Sequence, residues 1–286
     1  MDTEISGEII QKVLVAYKSY IEDKKPLEYI LGHVDFFGKE FYVNEATLIP
    51  RPETEYMITA VTEFIQQIQD SRFKIQASDS NHVSWVMSHE SNLLLDIGTG
   101  CWVLWISVLL QNPDFFSRAI FSDYYANALE VAKKNFENFT WEMIHDRLKV
   151  DFFQSDLLQF IENWELKIEN YNVILVANLP YIPEEMFESN VSDNVKKWEP
   201  KPAFVGGTDG LDYYKIMLDQ IIQVRGIRDE GQGTFTYSKP QVPLTCFLEM
   251  MTWQVDVLRK LYGEKFEFEE VKTFHFNIRI VKVYLK

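Results

Sequence analysis

The chain has 286 residues, 47% of them hydrophobic, and a formal net charge of −15, a length that buries a full core as one large domain or one domain with an appendage. The charge argues against a broad phosphate-binding surface, since nucleic-acid affinity rests mainly on Lys and Arg neutralising phosphates, and it suits either simple solubility or a partner carrying basic residues. Cys101 and Cys246 lie far apart without CxxC or Cys/His ligand spacing, which indicates neither a disulfide framework nor a zinc site and makes a reducing cytoplasm the natural setting.

No apolar run approaches the ~18 residues of a membrane span, and the acidic, amphipathic start "MDTEISGEIIQKV" is unlike a signal peptide. A soluble, unprocessed chain is expected. Ile9, Ile10, Val13, Leu14 and Tyr17 recur at helical spacing, which predicts one amphipathic helix. From Pro26 to Pro50, aromatic and β-branched residues with two glycines predict a small hairpin-like element. "RPETEYMITAVTEFIQQI" then opens a helix, with Pro52 tolerated in its first turn and Glu53 and Glu55 near the positive helix end. We divide the chain into a helix and hairpin recognition element (1–69), a polar linker or surface loop (70–91) and a catalytic domain (92–286).

Past residue 91 the pattern alternates. Short apolar runs at 93–97, 119–123, 147–152 and 172–177 have strand length, and "NALEVAKKNFENF" between two of them has helical period. Strands alternating with helices predict βαβ units and an α/β fold with a doubly wound, mostly parallel sheet. "LTCFLEM" (244–250), a helix around "WQVDVLRKLYG", and two runs at 268–274 and 277–285 close the chain, the last two as an antiparallel hairpin.

In such a sheet the ligand crevice lies at the carboxyl ends of the strands, and four segments map there. In "DIGTG", Gly98 and Gly100 allow a tight turn and close backbone approach to a nucleotide-like ligand; a glycine turn is also common structural punctuation. Asp123 ends the next strand 27 residues after Asp96, near the offset of an acidic residue that takes ribose hydroxyls, though it could equally cap the following helix. Asp156 in "QSDLL" could accept from an adenine amino group or simply be solvated. The specific segment is "NLPYIP" (178–183). There the Asn178 side-chain oxygen and the Leu179 carbonyl could accept the two hydrogens of a planar NH2 group, Pro180 restricts the backbone, and Tyr181 could pack on the plane. Two acceptors on one NH2 draw its lone pair out of conjugation and aim it, so that catalysis is orientation plus electrostatics.

"DIGTG", Asp123, "QSD" and "NLPY" resemble the motifs of class I S-adenosylmethionine-dependent methyltransferases acting on amide or exocyclic amino nitrogens. "PLEYILGHVDFFGKEFYVNEATLIPRPETE" (26–55) and "WEPKPAFVGGTDGLDYYKIML" (198–218) are similar to segments flanking the core of the peptide chain release factor glutamine N5-methyltransferases, with weaker echoes at Glu249 and Gln254. The resemblance implies a Rossmann-like methyltransferase with a seven-stranded sheet that transfers methyl from S-adenosylmethionine to the glutamine of the Gly-Gly-Gln motif in release factors. It places the cofactor against Gly98, Thr99, Gly100, Cys101, Trp102, Asp123, Asp156, Leu157 and Asn178. Asn178, Leu179, Pro180 and Tyr181 would grip the glutamine, Arg51 and Glu53 would brace the neighbouring loop, and Phe36, Phe37 and Phe41 would form small-domain core.

The departures keep other readings open. Family members carry a longer helical region before "PLEYILG" than the ~25 residues here. Leu179 stands where they have proline, giving the "NLPY" of adenine N6-methyltransferases, so an RNA or DNA adenine enzyme is the alternative, and an inactive methyltransferase-fold binding module is a third. Trp102 and Trp105 occupy a turn and helix start where the family has small residues, Trp253 falls at a third such position, and the chain has only 12 glycines, about 4% against a usual ~7%. One reading makes these tryptophans glycines, encoded by UGA in a host that reads that triplet as glycine. The other makes them a true tryptophan lid or a decayed site.

Overall fold

The computed structural model describes residues 6–78, 92–101, 103–143, 148–161, 171–224, 244–271 and 277–286. Helix α1 (Gly7–Ile21) starts where the Ser6 side chain accepts from the Ile9 N–H, and its apolar residues are exposed, none of its side chains being buried. Within the stretch expected to be only a hairpin, a short helix α2 (Leu27–Leu31) ends at Gly32, and the hairpin follows as β1 (His33–Phe36) and β2 (Lys39–Tyr42). Phe36 and Phe41 are core residues as expected, whereas Phe37, at the turn with φ 48°, is exposed.

After a 3-10 turn (Pro52–Thr54), helix α3 runs from Glu55 to Ser78. It therefore continues through nine residues that the sequence reading gave to a surface loop; the rest of that loop lies outside the described residues. Met57, Ile58, Val61 and Ile65 of α3 share one core with Phe41 of the hairpin and Leu94 and Phe121 of the sheet.

The seven-stranded sheet contains β3 (Asn92–Ile97), β4 (Arg118–Asp123), β5 (Lys149–Gln154), β6 (Asn172–Ala177), β7 (Leu244–Met251), β8 (Phe266–Val271) and β9 (Ile278–Leu285) in the order β5-β4-β3-β6-β7-β9-β8. The first five in that order are parallel, and β9 runs antiparallel to both β7 and β8. This is the expected doubly wound sheet with its C-terminal hairpin. β5 begins two residues later than predicted, and part of the run predicted at 268–274 lies outside the described residues.

Because side chains alternate across a strand, β3 feeds both faces. Leu94 joins the core with α3, α4 (Val103–Gln111) and α5 (Ala126–Met143), while Leu93, Leu95 and Ile97 join Leu218 of α8 (Asp212–Val224) and Leu258 of α9 (Thr252–Tyr262). Burial on both faces explains why these strands read as unbroken apolar runs. Two short helices, α6 (Glu184–Asn190) and α7 (Asp193–Trp198), lie between β6 and α8. No helix among the described residues is long and apolar enough to cross a membrane.

Candidate active site

Strand order reverses between β3 and β6, and the register pairs Ile97 with Ala177, so Gly98 and Asn178 leave the sheet side by side. The N–H groups of Gly98 and Thr99 both donate to the Ser122 carbonyl, at 2.9 and 3.0 Å. Gly98 has φ +72°, a backbone conformation that favours glycine, while a Cβ there would meet only the movable end of the Leu179 side chain, at 2.9 Å. Thr99 Oγ1 donates to Asp96 Oδ2 at 2.5 Å. Burial nevertheless pushes the Asp96 carboxyl up to about 8, against the lowering effect of Thr99 and Trp105. Cys101 is buried, its thiol pushed up to about 12 by burial, which leaves it a packing residue rather than a nucleophile.

Asp123 caps the approach to α5 and also reaches the glycine turn. Its Oδ1 accepts from the Tyr125 N–H at 2.9 Å ahead of α5, and its Oδ2 accepts from the Gly100 N–H at 3.0 Å, tying the two loops together. Burial raises its pKa in spite of these bonds, and each oxygen retains acceptor capacity toward a ligand hydroxyl. Asp156 is half-buried, with Gln159 Nε2 at 3.4 Å, and the neighbouring Leu157 holds the left-handed backbone at φ 51°. A leucine with positive φ is strained, and such strain gathers at functional sites.

These loops open on a cavity of about 590 Å³, walled by Gly98–Cys101, Asp123, Tyr124, Tyr125, Asp156, Leu157, Asn178, Leu179 and Pro180, with Arg51 and Thr54 from the N-terminal side. Its size is that of a cofactor site. Tyr181, expected to face the substrate plane, is not in that wall; its hydroxyl donates to Glu249 Oε1 at 3.1 Å. Glu53 is likewise outside the wall, and its charge acts on Tyr181 and Glu249.

Several residues outside the sequence-predicted set hold the site. Asn178 Nδ2 donates to Thr54 Oγ1 at 3.3 Å. The Tyr214 hydroxyl accepts from the Leu179 N–H at 3.1 Å and donates to the Glu249 carbonyl, its nearer acceptor at 2.5 Å. Arg51 does brace a loop, through Glu199: the Glu199 side chain is 1% exposed, with Oε1 2.5 Å from the guanidinium and Oε2 accepting from the Ile49 N–H at 3.1 Å. Asn135, fully buried, donates to the carbonyls of Tyr42 and Cys101 and accepts from the Tyr42 N–H, joining hairpin and glycine turn. Gln254 Nε2 donates to the carbonyls of Tyr181 and Asp209 at 2.8 and 2.9 Å. "GGTDG" packs so tightly here that a Cβ on Gly206 or Gly210 would run into the carbonyls of Pro180 and Tyr181. The clustered glycines and the echo at Gln254 were the sequence signals for this clamp.

The tryptophans divide. Trp105 is fully buried in α4, its indole N–H facing Asp96 without completing a hydrogen bond. Trp253 is 43% exposed and crowds nothing in the core. Trp102 lies outside the described residues.

Comparison with known proteins gives a consistent set. The chain is 35% identical over 199 residues to release factor glutamine methyltransferase of Bacillus anthracis, an alignment covering 70% of this chain and 59% of that protein. It is 31% identical over 211 residues to the Bacillus subtilis protein of that name (73% and 62% covered), and 32% over 216 residues to the one from Flavobacterium psychrophilum (75% and 64%). The chain spans about three fifths of the length of these curated relatives. No family model matches it. Among solved structures, the N-terminal domain of human METTL16 in complex with SAH superposes with a TM-score of 0.52 at 16% identity, covering 96% of this chain and 80% of that one. A human methyltransferase 10 domain containing protein does so at 0.51 and 16%, covering 98% and 99%. The fold is that of the Rossmann-like methyltransferases.

Proposed function

We propose that this chain, a homologue of the release factor glutamine methyltransferases, transfers a methyl group from S-adenosylmethionine to the side-chain amide nitrogen of the glutamine in the Gly-Gly-Gln motif of translation release factors, in the cytoplasm. The observation that carries the reading is the placement of Asn178–Pro180 beside the Gly98–Cys101 turn on one cavity, at adjacent ends of β3 and β6.

The residues present fit the cofactor. The Gly98–Cys101 turn would hold the methionine end, the buried Asp123 carboxylate would accept from the ribose hydroxyls, and Leu157 with the half-buried Asp156 would border the adenine, all of them lining the one cavity. S-Adenosylmethionine, when bound, supplies an electrophilic methyl group. The protein supplies orientation. Asn178 Oδ1 and the Leu179 carbonyl accept the two N–H bonds of the substrate amide. Since the Tyr214 proton goes to the Glu249 carbonyl, the Leu179 oxygen remains available for this. Held by two acceptors, the amide nitrogen loses conjugation with its carbonyl and presents a lone pair, which requires no strongly basic residue.

Incubation of the chain with a release factor and labelled S-adenosylmethionine tests this. Mass spectrometry should find one added methyl on the Gly-Gly-Gln glutamine. An unlabelled release factor with label in ribosomal RNA would replace the reading with the adenine alternative, and label in neither would leave the inactive module.

A further inference from the structure

One buried carboxyl at this site has no part in the scheme above. Glu249, near the end of β7, is 2% exposed. Its Oε1 accepts from Tyr181, but its Oε2 is buried with no hydrogen-bond partner. The side chains around it are the Thr54 hydroxyl, the Tyr181 hydroxyl and the Asn178 amide, with the Glu53 carboxylate as a repelling charge and the Tyr214 hydroxyl on its backbone carbonyl. A buried carboxyl served only by neutral side chains, with no cation beside it, weakens a fold, and an amide or apolar residue of the same size would sit there more comfortably.

The Asn178 side chain has two ends of opposite polarity and nearly equal shape. Only one orientation suits an NH2 substrate: oxygen toward the cavity, nitrogen inward. The inward position is bordered by Thr54 Oγ1, at 3.3 Å from Nδ2, and by the Glu249 carboxyl. Resting on the function proposed above, we propose that Glu249 is a positioning residue: as an acceptor-only carboxylate behind Asn178 it holds Nδ2 inward, so that Oδ1 is the atom presented to the substrate's amide nitrogen. Glu249 touches no substrate and moves no proton. Burial pushing its carboxyl up to about 7 records how strongly the fold resists the charge that the arrangement uses.

Glu249→Gln separates this role from a structural one. The amide keeps an oxygen for Tyr181 but places an NH2 group where Oε2 was, and two NH2 groups cannot face each other; Asn178 then turns its oxygen inward and offers donors to the cavity. E249Q should melt at the same or a higher temperature than the parent and bind S-adenosylmethionine within threefold. Its kcat on a release factor should fall at least tenfold, with KM within threefold. In the isotope-labelled chain without cofactor, the Asn178 side-chain amide protons should exchange with solvent at least tenfold faster in E249Q. A kcat within threefold of the parent, or unchanged Asn178 exchange, overturns the proposal. If the parent itself leaves the release factor unmethylated, the functional reading fails and the exchange comparison still decides what Glu249 does.

Discussion

Replacing Trp105 with glycine asks whether the core under the cofactor turn is built around an indole. The side chain is fully buried in α4, and an indole buries about 150–250 Å², worth roughly 4–6 kcal/mol at ~25 cal/mol per Å². Residual burial in the unfolded chain trims this to about 3–5 kcal/mol. Relief of the indole N–H that completes no hydrogen bond returns ~1–2 kcal/mol, and glycine inside a helix costs ~1 kcal/mol. W105G should therefore lose about 2–5 kcal/mol, in line with large-to-small changes in other cores. Urea unfolding followed by far-ultraviolet circular dichroism measures it. A loss below about 1 kcal/mol, or a gain, would refute the packing argument and identify the position as one made for a small residue. The coding triplets give the independent check, UGG marking true tryptophans.

Four further outcomes follow from the site. Asn178→Ala should abolish methyl transfer to a release factor while leaving S-adenosylmethionine affinity, measured by calorimetry, within a few fold; near-normal turnover would remove Asn178 from its role. Asp123→Ala should weaken cofactor binding by ~1–3 kcal/mol, the scale of lost charge-assisted hydrogen bonds, and an unchanged Kd would contradict the ribose assignment. Arg51→Met leaves the buried Glu199 carboxylate with only the Ile49 N–H. It should lower stability by ~2–4 kcal/mol, less than for a fully buried pair because Arg51 is partly exposed, and a denaturation midpoint matching the parent's would count against that tie. Asp96 and Glu249 are held by burial at about 8 and about 7, above their unfolded values. Their contribution is complete below the unfolded carboxyl range and lost as pH rises through 7 and 8. The urea midpoint should be lower at pH 9 than at pH 6, by less in E249Q, and the opposite ordering would show that burial does not govern these groups.

The sheet was legible because β3, β4 and β6 are buried on both faces and so print as apolar runs, and Asp123 and "NLPY" because their chemistry sits at strand ends where the topology predicts a crevice. The second half of α3 was not, since "SRFKIQAS" is polar and lacks a clear period. Nor were the partnerships of Thr54, Asn135, Glu199 and Tyr214. A residue whose importance lies in a contact 35 to 150 positions away carries no mark in its neighbours. Tyr181 shows the converse: the motif was found, but the direction of its side chain depends on Glu249, far along the chain.

The cavity wall gathers stretches between Glu45 and Ile216, and the carboxyl behind it arrives only with Glu249 on β7. Such long-range closure is slow, because loop entropy must be overcome before the contacts form. A nascent chain on the ribosome therefore has no complete site until β7 has left the exit tunnel. Shorter fragments, whether from stalled synthesis or proteolysis, hold a glycine turn and an acidic loop but lack the carboxyl behind Asn178. Closure of this site is thus a report on the arrival of β7 in the sheet.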